Sequence, residues 1–185
     1  MVFQNPDNQI VATTVEEDVA FGPENLGVKQ PQLGQAVSQA LAYVGLSDYA
    51  HAAPSELSGG QKQKLAIAGI LAMQPACLIM DEATSMLDPL SRQTIMQLVR
   101  RLQQERGLTI INITHDMNEA VQADRVAVMQ QGRLLMEGSP AQVFHQVETL
   151  RRLGLDVPVH TAIPFYLGQR FNLGFSSGSL ATPEA

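Results

Sequence analysis

The chain has 185 residues with 12 basic and 18 acidic side chains, a formal net charge of −6 and no tryptophan. This acidic balance and the scarcity of aromatic side chains argue against a nucleic-acid-binding surface and against direct docking on anionic lipid. The single cysteine, Cys77, excludes an internal disulfide and fits a reducing compartment. No apolar run approaches the roughly 20 residues that span a bilayer, and no secretory signal is recognisable. We therefore expect a cytoplasmic protein whose membrane contact goes through a partner.

The first part of the chain predicts a strand end followed by helices. Residues 1–4 are typical of the end of a buried strand, and a turn-rich stretch follows them. A short helix is expected over residues 15–21, ended by Gly22-Pro23. Pro31 begins another helix, which Gly45 closes. Its apolar residues recur at near-helical spacing and are Leu33, Val37, Ala40, Leu41 and Val44.

Strands and helices alternate in the rest of the chain. Apolar runs at 77–80 and 108–113 predict two buried strands, and a helix over 89–106 lies between them with Gly107 as its cap. The other expected elements are a helix over 58–73, a short helix over 116–123, a hairpin over 125–137 and a helix that begins at Ser139-Pro140.

This alternation predicts an α/β fold with a parallel sheet that is covered on both faces. The helical stretch 14–56 interrupts the alternation, and we interpret it as part of an inserted α-helical lobe. Near the C-terminus the composition turns to Gly, Ser and Thr without periodicity, which predicts a flexible tail over residues 168–185.

The strongest local indication of ligand binding is the stretch Leu57-Ser58-Gly59-Gly60-Gln61. Adjacent glycines let a ligand approach the backbone closely. Ser58 can cap the following helix, whose first N–H groups favour an anion such as a phosphate. Taken alone, the stretch also fits an ordinary glycine-containing helix start.

Polar side chains at predicted strand ends form a second group of candidates. Asp81 and Glu82 follow the run 77–80, where α/β sheets bind ligands, so one carboxylate can hold Mg²⁺ and the other can polarise a water. His115 follows the second strand and would lie near Glu82 if the two strands are parallel neighbours. Gln4 ends the first strand and could bind a metal through its amide oxygen. Each of these residues alone also fits a solvated turn or a helix start without a ligand.

The order of these motifs resembles that of the ABC-type ATPases over about residues 1–155. Five motifs stand in the family's order: Gln4 resembles its Q-loop, 57–61 its signature motif, 77–82 its Walker B strand with the catalytic glutamate, 85–88 its D-loop and His115 its switch histidine. The stretches 2–9, 15–22 and 81–89 are similar to the ATPases of energy-coupling factor transporters, which import vitamins and metal ions.

The resemblance implies a P-loop NTPase-like, RecA-like parallel sheet core with an inserted α-helical subdomain, and ATP and Mg²⁺ as ligands. The ATP site of the family is shared with a second ABC ATPase subunit, in a homodimer or a heterodimer. Such a pair lies on the cytoplasmic face of the cell membrane through integral membrane transmembrane and substrate-binding subunits, and residues 5–25 would dock on helices of a membrane subunit. No nucleic acid is expected as a partner.

The resemblance also implies a role for each motif residue. Glu82 would be the general base for the attacking water, and His115 would contact the γ-phosphate. Gln4 and Asp81 would contact Mg²⁺ or its water. In the signature motif, Ser58, Gly60 and Gln61, with Gly59 beside them, would clamp the γ-phosphate of a nucleotide held by the partner, and Asp88 would couple the two sites.

The family pattern lacks one part in this sequence, because no G-x-x-x-x-G-K-[ST] P-loop occurs in it. In the family the P-loop precedes the Q-loop, so we expect it upstream of Met1, in a longer protein. Its strand would lie beside the strand 108–113, which without it would have an exposed apolar edge. The chain alone is therefore not expected to be a well-behaved ATPase.

On this basis we expect a partial ABC ATPase domain over 1–167, made of a helical subdomain over 14–73, core strands over 74–138 and a C-terminal helical segment over 139–167. The favoured hypothesis is a transport ATPase subunit. The alternative is a non-catalytic partner that lends its signature motif and D-loop to a complete ATPase. An ABC ATPase of DNA repair or translation is disfavoured by the acidic balance and by the lack of coiled coils or paired cassettes.

Overall fold

The computed structural model describes residues 1–171, apart from the side chains at positions 160, 168, 169 and 171. The chain divides into two compact units, Met1–Thr114 and a second that begins at His115. Most of the predicted tail over 168–185 lies outside the described residues. No helix within the described range is long and apolar enough to cross a membrane.

The first unit contains four α-helices: α1 (Val15–Asn25), α2 (Gln32–Val44), α3 (Gly59–Ala72) and α4 (Pro89–Arg106). Most of these helices begin or end at the capping residues that the sequence predicts. Gly45 and Gly107 end α2 and α4 in the left-handed conformation, at φ 74° and 62°, as the sequence predicts. The five apolar residues predicted for α2 are all buried, and they share one core with α1, α3 and α4.

The predicted end of α1 at Gly22-Pro23 is wrong, because the helix continues to Asn25. Pro23 has no N–H to donate to the Val19 carbonyl, so one helical hydrogen bond is missing there, and the helix ends two residues later. The N–H of Leu26 bonds the carbonyls of Gly22 and Pro23 at 3.2 and 3.1 Å, which closes the helix.

A parallel pair of strands, β1 (Cys77–Asp81) and β2 (Thr109–Ile113), confirms the predicted parallel arrangement. Their register sets Asp81 opposite Ile113, and the N–H of Glu82 donates to the Ile113 carbonyl at 2.9 Å. On the other edge of β1, Val2 forms a parallel bridge with Met80. Residues 1–4 therefore lie beside β1, as expected of a strand end.

The prediction that both strands are buried on both faces is wrong for this unit. Leu78 and Met80 are fully buried, but Cys77 is exposed, and Ile111 and Ile113 are each 47% exposed. Leu78 and Met80 share one hydrophobic core with Ile95, Leu98, Val99 and Leu102 of α4. Within Met1–Thr114, β2 pairs with β1 on one edge alone. Its other edge is unpaired, as expected when no further strand lies beside it.

The second unit contains the predicted hairpin and short helices. Its strands are β3 (Val126–Gln130) and β4 (Arg133–Gly138), joined by Gln131 and Gly132 at φ 49° and 74°, which suits a tight hairpin turn. Its helices are α5 (Met117–Ala120), α6 (Pro140–Phe144), α7 (Val147–Arg152) and α8 (Val159–Phe171). Ser139 caps α6 in a capping box with Gln142, as predicted for that residue. Its core centres on Val128, Val143, Phe144, Val147, Leu150 and Val157.

A buried carboxylate, Asp18 of α1, holds the loop that leads into that helix. Its Oδ1 accepts from the N–H groups of Val11 and Ala12 at 2.8 and 3.2 Å. We expect Asp18→Ala to lower the free energy of unfolding by about 1–3 kcal/mol, because the N–H groups of Val11 and Ala12 lose their buried acceptor. The exposed Asp48→Ala should stay within about 0.5 kcal/mol of the wild type. Urea unfolding of both variants measures this, and equal midpoints would contradict the role given to Asp18.

Candidate functional site

Three polar residues from two distant stretches meet at the end of β1. Gln4 Nε2 donates to Ser85 Oγ at 3.0 Å and to Glu82 Oε2 at 3.3 Å. Ser85 Oγ in turn donates to the Glu82 carbonyl at 2.8 Å. The structure thus brings Gln4 and Glu82 together although 78 residues separate them.

Strand pairing is the reason that Gln4 reaches this place. The Val2 N–H donates to Ile79 O at 2.7 Å, and the Asp81 N–H donates to Val2 O at 2.9 Å. Gln4 follows this bridge by two residues and so lies at the carboxyl end of β1, where parallel sheets bind ligands.

Glu82 adopts a backbone conformation that is uncommon for a residue with a side chain. Its φ is 48°, in the left-handed region, directly after the last residue of β1. Such a conformation costs about 1–3 kcal/mol, persists where the surroundings enforce it and is concentrated at functional sites. Here the Ile113 carbonyl and the Ser85 hydroxyl hold the Glu82 backbone, which fixes the direction of its carboxylate.

The oxygen donors at this strand end suit Mg²⁺. Asp81 is the half-buried last residue of β1, and Gln4 offers an amide oxygen a short way along the same edge. Mg²⁺ is usually held by one or two carboxylates together with phosphate oxygens and waters. Across residues 1–171, no group of three or more His, Cys, Asp or Glu side chains is placed to hold a metal by itself. Asp81 and Gln4 carry oxygen donors of the kind that Mg²⁺ bound to a phosphate ligand would take.

Ser58 and Gln61 form a capping box at the start of α3, which confirms the predicted cap. The Ser58 hydroxyl accepts from the Gln61 N–H at 3.3 Å, and Gln61 Oε1 accepts from the Ser58 N–H at 2.8 Å. Both side chains are at least partly exposed, so they can reach a ligand after a change of rotamer. The motif thus combines a stable helix start with an open N-terminus.

The two glycines of this motif differ in what surrounds them. A Cβ on Gly59 would meet Leu87 Cδ2 at 3.8 Å, an ordinary contact. A Cβ on Gly60 would lie 2.8 Å from Ser91 Oγ and 3.0 Å from Ser91 Cβ, closer than side chains tolerate. The sequence explained both glycines by ligand approach, but packing against Ser91 requires Gly60 in any case.

Asp88 is the N-cap of α4 and is hydrogen-bonded to Ser91 in the first turn of that helix. Its Oδ1 accepts from the N–H groups of Leu90 and Ser91 at 3.1 and 3.0 Å. The hydrogen bond from the Ser91 side chain lowers the pKa of the Asp88 carboxyl. Ser91 thus lies against both Asp88 and Gly60.

His115 is exposed and is the first residue of the second unit, one residue after Thr114. β2, which precedes it, is the parallel neighbour of β1. A position of His115 near Glu82 stays a prediction.

Sequence reasoning missed two residues beside the motifs, Gln63 and Ser91. Gln63 is fully buried within α3, on the same side as Ile67 and Leu71. An amide on an apolar helix face is a sign that could have pointed to it. No sequence feature marks Ser91, because its importance depends on the closeness of Gly60.

The chain is similar to known proteins in sequence and in structure. A family model described as ABC transporter matches residues 1–85. The energy-coupling factor transporter ATP-binding protein EcfA1 of Clostridioides difficile is 52% identical over 184 residues, which are 100% of this chain and 66% of that protein. The protein of the same name from Symbiobacterium thermophilum is 57% identical over 158 residues, 85% of this chain and 55% of that protein.

A solved structure shows the same fold. The structure of cbiO1 from Clostridium perfringens, described as part of the ABC transporter complex cbiONQ, matches with a TM-score of 0.73 and 38% identity. The match covers 89% of this chain and 66% of that one. The fold is thus that of the P-loop NTPases, a class of nucleotide-binding α/β proteins.

The chain belongs to the ABC transporter ATP-binding family, and its similar relatives are energy-coupling factor transporter ATP-binding proteins. It spans less than two thirds of the length of the curated relatives it matches.

Proposed function

We propose that this chain is the part of an ATP-hydrolysing importer subunit that activates the attacking water and clamps a partner's nucleotide. The importer is of the energy-coupling factor type and takes up a vitamin or a metal ion. The observation that carries the proposal is the contact of Gln4 with Glu82 and Ser85 at the end of a parallel strand. A solvated acidic turn has no need of an amide from 78 residues away.

The chemistry follows from the positions of these side chains. Glu82 accepts the proton of the attacking water, and the Gln4 amide beside it orients the carboxylate. Asp81 and Gln4 offer oxygens to Mg²⁺, which neutralises phosphate charge when it is bound. His115 contacts the γ-phosphate.

The partner-facing residues act on a nucleotide that a second ABC ATPase subunit holds. The Ser58 hydroxyl, the N–H groups of Gly59 and Gly60, and the Gln61 amide clamp the γ-phosphate at the positive end of α3. Asp88 couples the two sites from the start of α4. Phosphoryl transfer depends mainly on such positioning and charge neutralisation.

The subunit lies on the cytoplasmic face of the membrane through integral membrane subunits, and residues 5–25 dock on them. Exposed apolar side chains in and next to this segment support the docking proposal, since Val11, Phe21 and Leu26 are 61%, 52% and 66% exposed. No nucleic acid is expected as a partner, given the net charge of −6.

An alternative proposal is a non-catalytic subunit that donates its signature motif and D-loop. The intact capping box at Ser58 favours it equally, because a donor needs this helix start. This alternative gives Glu82 no role in hydrolysis. The hydrogen bond from the Gln4 amide to the Glu82 carboxylate supports the catalytic proposal instead.

Ser58→Ala tests the clamp in the natural gene product co-expressed with its partner and membrane subunits. We expect turnover to fall about 10- to 100-fold, because a hydrogen bond to a charged phosphate is worth about 1.5–3 kcal/mol. Loss of the cap should lower the free energy of unfolding by about 1 kcal/mol. The exposed Ser55→Ala is the matched control and should change neither quantity.

Both proposals require the effect of Ser58→Ala, so an unchanged turnover would contradict both of them. Glu82→Gln separates the two, because a pure donor keeps its full effect on the partner's turnover without this carboxylate. Co-purification with an integral membrane subunit tests the transport assignment.

A further inference from the structure

Gln63 is an amide enclosed in an apolar core. It is 0% exposed, and the neighbouring residues on its side of α3, Ile67 and Leu71, belong to the main core of the first unit. Burying an amide is unfavourable unless hydrogen bonds replace those lost from water. A residue of this kind therefore needs a reason beyond packing.

The contact of Gln63 is with the segment that carries Gln4. Gln63 Nε2 donates to the backbone carbonyl of Phe3 at 3.2 Å, directly before Gln4. The preceding residue, Lys62, forms an ion pair with Asp7 Oδ1 at 2.7 Å. Two successive residues of α3 thus hold both ends of the segment Phe3–Asp7.

The other end of the Gln63 side chain makes no compensating bond. Its Oε1 is buried and has no hydrogen-bond partner in the part of the chain that the structure describes. An unsatisfied buried acceptor destabilises a fold, and an apolar residue of the same shape would avoid this cost. A contribution to stability therefore does not explain why this position holds a glutamine. A methionine would fill the same space, and what it could not provide is the hydrogen bond to the Phe3 carbonyl.

We infer that Gln63 is a positioning residue that fixes Gln4 against Glu82 by holding the Phe3 carbonyl. The inference rests on the proposed function for the role of Gln4 in hydrolysis. Gln63 itself touches neither nucleotide nor metal. It connects the helix that begins with the signature motif to the residue that orients the catalytic carboxylate.

Gln63→Met removes the hydrogen bond and keeps the length of the side chain. In the natural gene product with its partner subunits, we expect the Mg²⁺ concentration for half-maximal ATP hydrolysis to rise about 10-fold, the size seen when outer-shell partners of a metal site are removed. The melting temperature should stay the same or rise, because the unsatisfied oxygen is also removed. The control is Lys64→Met on the same helix, which should change neither quantity.

Hydrogen exchange gives a second readout that does not depend on activity. We expect Gln63→Met to speed exchange in a peptide covering residues 2–9, where the Val2, Phe3, Asp7 and Gln9 amides are hydrogen-bonded, and Lys64→Met to leave it unchanged. Unchanged exchange in Gln63→Met, or a loss of activity that only parallels a lower melting temperature, would overturn the inference. A wild-type protein that hydrolyses no ATP at any Mg²⁺ concentration would defeat the proposed function instead, and the exchange experiment would still decide the role of Gln63.

Discussion

Replacing Glu82 by Gln is expected to lower the rate of ATP hydrolysis about 10²- to 10⁴-fold, the usual contribution of a general base. The amide cannot accept the proton of the attacking water, although it keeps the size of the side chain and can still face Gln4. ATP binding should remain, because the phosphate contacts lie elsewhere. Single-turnover hydrolysis with Mg²⁺ and ATP, beside an equilibrium binding measurement, tests both statements.

The backbone at Glu82 should make a glycine more stable there than an alanine, although neither can replace the carboxylate. Glu82 has φ 48°, which glycine adopts without the steric cost that other residues carry. Glu82→Ala and Glu82→Gly both remove the carboxylate and the bond to Gln4, so their difference isolates the backbone. We expect the glycine variant to be the more stable by about 1 kcal/mol, the reverse of the order in ordinary positions.

Two results would contradict this account of Glu82. Hydrolysis by Glu82→Gln at the wild-type rate would show that another group takes the proton. An alanine variant more stable than the glycine variant would show that the backbone at Glu82 is unstrained.

Gly60→Ala is expected to have the second largest effect, on stability and on turnover together. The added methyl would lie 2.8 Å from Ser91 Oγ, so the starts of α3 and α4 must separate. Overpacking of this kind costs about 1–3 kcal/mol. Ser58 and Asp88 begin these two helices, and their spacing should change with it. Urea unfolding and steady-state ATP hydrolysis measure the two effects.

A double variant tests whether Ser91 is the cause. Ser91→Gly removes both atoms that the new methyl would meet, so Gly60→Ala added to Ser91→Gly should return stability and turnover to the level of Ser91→Gly alone. We expect a coupling energy of at least about 1 kcal/mol, as for residues in direct contact. The comparison Gly59→Ala, whose methyl meets Leu87 at 3.8 Å, should cost less stability than Gly60→Ala.

The double variant also separates packing from ligand approach. If stability recovers and turnover does not, the glycine is needed where the phosphate approaches, as the sequence first suggested. If neither recovers, contact with Ser91 is not the reason for Gly60.

Local sequence determined most helix ends. Ser58 and Ser139 cap α3 and α6 as predicted, and Gly45 and Gly107 end α2 and α4. These outcomes depend on backbone groups within four residues, so nearby residue types are sufficient to predict them. The order of the motifs was likewise sufficient to identify the family, since each motif is short and contiguous.

The expectations that failed depend on what lies around an element. An apolar run predicts a strand, but the exposure of Ile111 and Ile113 depends on whether another element covers them. Gly22-Pro23 was read as a helix end, but Pro23 removes only one helical hydrogen bond, and α1 continues to Asn25.

The residue pattern alone was enough to predict the family, most helix ends and the polar residues at the end of β1. The folded chain was needed to show that Gln4 contacts Glu82, that Glu82 has a left-handed backbone, that Gly60 packs on Ser91 and that Gln63 holds Phe3. The difference lies in the range of the interactions. Caps and apolar periodicity act within a few residues, whereas a hydrogen bond across 60 or 78 residues exists only once the strands and helices have packed.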